Sequence, residues 1–131
     1  MEHHKIAYFF LRLAMGVNLF GHGLARIPKV QAFAAGMVKN FEKSWLPQSL
    51  VQIVANTLPF IELIIGLMLI VGLKTRWANW AGATLIIMLL FGSSTIENWE
   101  AMGTQMIYAF MFYFLIAKER DNIYSIDKNH L

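Results

Sequence analysis

Asn18, His22 and Arg26 repeat at four-residue intervals within an apolar stretch, so on a helix they share one face. A carboxyl group, Glu62, lies near the middle of a second apolar stretch, about 16 Å from either end at the helical rise per residue. An ionisable side chain at such depth is costly and by default signals function. Glu62 should therefore face the interior of a bundle, either protonated or paired. Helical side chains lean toward their own N-terminus, so two antiparallel helices would bring His22 and Glu62 together, directly or through a water. Gln105 and Tyr108, early in a later apolar stretch, come from the same side. These residues predict a polar pocket built from Asn18, His22, Arg26, Glu62 and Gln105. An acid, an imidazole and a guanidinium in an apolar wall suit a lipophilic molecule that bears carbonyl groups and exchanges protons, such as a quinone. Phe20, Phe60, Phe91, Trp99 and Phe112 are available as walls for its tail. The competing reading is a structural clasp that pins helices together through hydrogen bonds.

Several other chemistries fail on residue count. A bis-histidine haem needs two histidines at depth, and only His22 qualifies. One His with one Glu falls short of a zinc site, so no metal site is expected. Gly21-His22-Gly23 has no strand before it and does not read as a phosphate loop. The chain contains no cysteine, which removes disulfides, thiolate ligands and any thiol relay of its own. No resident cofactor is evident.

The elements that must position these groups follow from composition. Hydrophobic residues make up 57% of the 131 and charged residues only 15%, against roughly 25% charged in soluble domains. That much apolar surface suits a lipid-facing bundle. The formal charge of +3 is dispersed between apolar blocks, which argues against nucleic acid binding. Four blocks, at residues 6–25, 50–73, 77–96 and 101–117, approach the roughly 20 residues that a membrane-spanning helix needs. The fold class expected is all-α, an integral membrane four-helix bundle forming one domain. The last block is short for a span and predicts a thinly covered or slightly re-entrant helix.

Between the first two spans, Pro28 can open a helix, and Val30, Phe33, Met37, Phe41 and Trp45 recur at spacings of three and four. This predicts an extracytoplasmic amphipathic helix over residues 29–45, favoured as an interfacial anchor over a lid. Gln52, Asn56 and Pro59 share roughly one stripe of the second span and predict a wet outer half. Lys5, Arg12, Lys74, Arg76, Lys118, Arg120 and Lys128 gather on one side, against Arg26, Lys29, Lys39 and Lys43 on the other. The positive-inside rule then places both termini, including a tail at 118–131, in the cytoplasm of a cell whose inner membrane holds the protein. Arg12, about 9 Å into its helix, is expected to snorkel to the headgroups on that side.

The run Arg12-Leu-Ala-Met-Gly16 followed by Gly21-His22-Gly23-Leu-Ala-Arg26 is similar to the first helix of the DoxX family. Leu58-Pro59-Phe60-Ile61-Glu62, the segment containing Ala32-Phe33, and Gly66-Leu-Met-Leu-Ile-Val-Gly72-Leu-Lys-Thr-Arg76 continue the likeness over almost the whole chain. The resemblance implies a four-helix membrane fold of the DoxX/DoxD type. It further implies a subunit of quinone-linked sulfur oxidation, of the thiosulfate:quinone oxidoreductase kind, working with a soluble or membrane oxidoreductase partner. Distant members of the family act as membrane chaperones or cargo receptors, so a scaffold or assembly factor is the alternative, and a small transporter a third reading. The recurrent polar positions of the family would fall on Arg12, His22, Arg26, Glu62 and Arg76, with Arg76 anchoring the cytoplasmic edge. The glycines would serve a homodimer contact as readily as internal packing.

Overall fold

A computed structural model describes residues 2–127, which are helical with no strand among them. Helix α1 spans Glu2–Arg26, and a 3-10 turn at Ile27–Lys29 leads into α2, Val30–Asn40. Then follow α3 (Gln48–Val71), α4 (Thr75–Thr95), α5 (Trp99–Ala117) and a last 3-10 turn at Glu119–Asp121. α3, α4 and α5 are each long and apolar enough to cross a membrane. α1 is as long but less apolar, since Arg12, Asn18 and His22 fall in its middle. Four long helices are thus present, as the hydropathy predicts, and α5 is indeed the thinly covered one, burying only Phe112 and Leu115.

The bundle is assembled from two pairs. α1 packs closely along α3 and α4 along α5, while the α3–α4 and α1–α5 seams are sparser. Small residues explain the first pair. A methyl group on Gly16 would lie 2.8 Å from the Ile70 backbone nitrogen, and one on Gly23 would lie 2.5 Å from the Pro59 carbonyl oxygen. One on Gly66 would strike the Phe20 backbone. Backbones that touch in this way gain dispersion contacts, which drive helix association where no hydrophobic effect operates. In the second pair, Gly82 lies against the Phe112 ring. Met15, Leu19, Leu58, Ile65, Leu85 and Phe112 fill the space between the pairs.

The end of the bundle that carries both termini is closed by hydrogen bonds, and here one expectation fails. Arg12 does not snorkel: it is fully buried. Its Nε donates to the Leu69 carbonyl at 2.9 Å, and its terminal nitrogens donate to Asn122 Oδ1 and to the carbonyls of Ile123 and Tyr124. The tail is not a free appendage either. Ile126 N–H donates to the Val71 carbonyl and Asp127 N–H to the Gly72 carbonyl, both at 3.0 Å. The Asp127 carboxylate accepts from the Lys74 and Thr75 backbone N–H groups. Carbonyls that the end of α3 leaves without helical partners, and amides that the start of α4 leaves likewise, are therefore satisfied by Arg12 and residues 122–127. Gly72 joins the two helices at φ +73°, where a side chain would be strained and would collide with Ser125. Lys128, counted in the charge asymmetry, lies outside the described residues.

A second clasp sits one turn away. Tyr8 Oη donates to the Leu115 carbonyl at 2.7 Å, and Asn79 Nδ2 donates to the same carbonyl at 3.2 Å and to Tyr8 Oη at 3.3 Å. Leu115 is in the last turn of α5, so this too supplies donors to a carbonyl that the helix leaves open. Arg76 is at this end as well, paired through Nε with Glu119 at 2.9 Å, which fits an edge anchor.

Because Asp127 caps α4, Asp127→Ala should lower stability by about 1 kcal/mol, the usual cost of losing an N-cap side chain. Thermal unfolding in detergent would register the shift.

Candidate functional site

The opposite end is hollow. A cavity of about 420 Å³ lies between the two helix pairs and beneath α2. Asn18, His22 and Arg26 reach it from α1, Glu62 and Leu58 from α3, Ile86 and Leu89 from α4, and Thr104, Gln105 and Tyr108 from α5. All five residues that the sequence singles out for a pocket thus line one space. The one-face repeat on α1 carries three of them, and the Gly23 and Gly66 contacts, on a neighbouring face, hold α1 against α3.

The pairing inside the cavity differs from the one expected. Glu62 is bonded to Arg26, whose terminal nitrogen lies 3.2 Å from Oε1. The Glu62 side chain is 5% exposed and that of Arg26 30%. His22 turns instead to its own helix, with Nδ1 2.8 Å from the Asn18 carbonyl. A carbonyl only accepts, so Nδ1 carries a proton, and in the tautomer with its single proton there Nε2 is an acceptor. Arg26 also lies over the Phe33 ring, 4.6 Å from its centroid. That cation–π contact from α2 helps to hold the guanidinium that pairs with the carboxylate.

Two polar atoms in the wall are unanswered. Asn18 Nδ2 and Gln105 Oε1 are buried and have no hydrogen-bond partner among the described residues. Native structures rarely leave such groups unpaired, so their presence on one cavity points to an occupant that both accepts and donates. At the other end the Tyr8–Asn79 clasp also leaves one buried atom without a partner among the described residues, Asn79 Oδ1, but Asn79 does not line this cavity, whereas Asn18 and Gln105 share it.

Other expectations need correction. The helix predicted over 29–45 ends at Asn40, and turns occupy the residues up to Leu46. Ala34 is buried, and Phe33 and Met37 face the cavity, so α2 covers it instead of only anchoring at a surface. Trp45, assigned to the amphipathic face, lies beyond α2 and meets the Phe91 ring edge-on at 5.8 Å. None of the rings expected as walls lines this cavity: Phe60 and Trp99 are exposed on the bundle exterior, Phe112 is core, Phe20 packs at the α1–α3 contact, and Phe91 lines an adjoining apolar recess. The apolar part of the wall is aliphatic, with Phe33 and Tyr108 as its rings. Gln52 and Asn56 lie on an outward face of α3, where Asn56 donates to the Gln52 carbonyl at 2.9 Å, and they do not line the cavity. Phe33 and Met37 could have been found from the three-and-four spacing had the lid reading been preferred.

No match is found among curated proteins or among solved structures. The DoxX family model matches residues 7–94, more than half of the chain. Asn18, His22, Arg26 and Glu62 fall inside that stretch, while Gln105, Tyr108 and the tail that cages Arg12 lie beyond it. On this match, carried by the helices that form the ion-paired side of the cavity, the chain belongs to the DoxX family.

Proposed function

We propose that the chain is a membrane-embedded subunit that binds a quinone in the cavity at Arg26 and Glu62 and exchanges electrons and protons through it with an oxidoreductase partner. The observation that carries this reading is the ion pair flanked by an unanswered donor, Asn18 Nδ2, and an unanswered acceptor, Gln105 Oε1, in a wall of mixed apolar and polar side chains. The oxidised head offers two carbonyl oxygens, which accept from Asn18 and Arg26. Reduction adds two electrons and two protons and turns both oxygens into hydroxyls. These can donate to Gln105 Oε1, to His22 Nε2 or to the Glu62 carboxylate. The wall thus holds partners for both forms, and Glu62 is the group suited to pass the protons. The electrons come from the partner, which carries the redox group.

The apolar exteriors of α3, α4 and α5 support residence in a bilayer. The basic residues Lys5, Lys74, Arg76, Lys118 and Arg120 at the termini end favour a cytoplasmic placement of that end in the inner membrane. The cavity then opens toward the outer face.

Mass spectrometry of an organic extract from the purified protein tests the reading. Wild type should retain a quinone at near one per chain, and Glu62→Gln should lose most of it. Bulk phospholipid alone in both samples would contradict the proposal and favour a scaffold or assembly factor.

A further inference from the structure

A second, wholly apolar recess adjoins the polar cavity. It holds about 180 Å³ and lies in the sparse α3–α4 seam, beneath the turn that follows α2. Phe41, Leu46, Val51, Val54, Met88 and Gly92 are among its walls, and no polar side chain is. Met37 and Leu89 line both spaces and so form part of the partition between them. Methionine is unbranched and adapts its shape readily, which makes Met37 a movable partition. At the far end, Leu50 and Phe91 are about half exposed on the bundle exterior, where lipid would lie. The recess therefore borders the polar cavity at Met37 and Leu89 and the outside at Leu50 and Phe91, with an apolar lining throughout.

We infer that this recess carries the tail of the molecule whose head occupies the polar cavity: an isoprenoid chain enters past Met37 and Leu89 and leaves to the bilayer between α3 and α4. The inference rests on the quinone reading of the head site and adds the route of the tail. A dry apolar cavity of about 150 Å³ accommodates benzene, so the recess holds roughly one isoprenoid unit and the rest of the chain lies in lipid. Lipid tails are as apolar as the recess, so burial there adds little affinity by the hydrophobic effect. Its contribution is orientation: a tail fixed at its first unit points the ring at Arg26 and Glu62.

Gly92 is the natural place to close the recess. A methyl group there would meet only the Phe41 ring, at 3.5 Å, an ordinary contact. Gly92→Leu should fold and fill the recess, and Val54→Phe fills it from the opposite helix. The full chain in lipid nanodiscs would be titrated with a quinone bearing a long isoprenoid tail, and with the same ring bearing a methyl group instead of the tail. Both variants should bind the long-tailed quinone about tenfold more weakly than wild type, the scale of overpacking an occupied site. The tail-less ring should bind all three proteins alike. Unchanged affinity for the long-tailed quinone in both variants would overturn the tail route and leave the head site standing, as would an equal loss for both ligands. Wild type that binds neither quinone would overturn the head reading, and the tail route with it.

Discussion

Arg12→Ala should destabilise the bundle by about 3 kcal/mol or more, the scale of leaving several buried acceptors without the charged donor that served them. The side chain is wholly buried, and its loss strands the carbonyls of Leu69, Ile123 and Tyr124 together with Asn122 Oδ1. Each stranded acceptor adds a desolvation cost of about 1–3 kcal/mol where water cannot reach it. The tail should then loosen, left with ties that include the Val71 and Gly72 backbone bonds, the Asp127 cap, the contacts of Asn122 and Ser125 and the edge-on packing of Tyr124 on Phe9. Arg12→Lys should recover little, since an ammonium group cannot reproduce a planar fork with donors in several directions. Two readouts check this: the midpoint of thermal unfolding in detergent, and trypsin cleavage after Lys118 and Arg120. A lower midpoint with faster cleavage is expected. A variant with wild-type values in both would mean that the tail is held by something other than Arg12.

Gly66→Leu should be comparably damaging for a different reason. The added side chain would meet the Phe20 backbone and the Gly16 carbonyl, neither of which can rotate away. α1 must shift off α3, at a cost of about 3 kcal/mol or more for overpacking against main chain. Arg26 and Glu62 come from these two helices, so the same shift should open their 3.2 Å contact and release any bound quinone. Gly103→Leu is the matched control. Nothing lies within 4 Å of a methyl group at Gly103, and the same substitution there should change stability by no more than about 0.5 kcal/mol. Equal behaviour of the two variants would contradict the close α1–α3 contact.

These two results bear on what the sequence could disclose. The long helices were legible because apolar runs of sufficient length leave few alternatives. Asn18, His22, Arg26 and Glu62 were legible as neighbours because a four-residue repeat fixes a helix face, and antiparallel order fixes which ends meet. The detail of pairing was not. Arg26 and His22 are one turn apart, and which of them takes Glu62 depends on Phe33, which belongs to a separate helix. Arg12 was misread because its acceptors come from residues 122–124, more than a hundred positions away, in a stretch with no periodicity to announce it. The aromatic walls were misread because lipid-facing and cavity-facing apolar residues have the same composition. Phe60 and Phe33 differ only in where packing leaves them.

The bundle divides its labour between its ends. At the termini end Arg12, Tyr8, Asn79 and Asp127 supply partners for backbone groups that the helices leave open. At the other end Asn18 and Gln105 are left unanswered around an ion pair, under a short helix that brings Phe33 and Met37 over them. A rigid base and an unsatisfied, covered cavity are what a binding site needs.

The most direct measurement is photolabelling of the purified protein in nanodiscs with a quinone that carries a light-activated group on its ring, followed by peptide mapping. The account predicts label on the peptides that contain Phe33 and Met37 and on those that contain Gln105 and Tyr108, removed by excess unlabelled quinone. Label spread over the exterior of α5, at Met106, Phe110 and Tyr113, and indifferent to competitor, would show that quinone meets this protein only as a solute in the surrounding lipid.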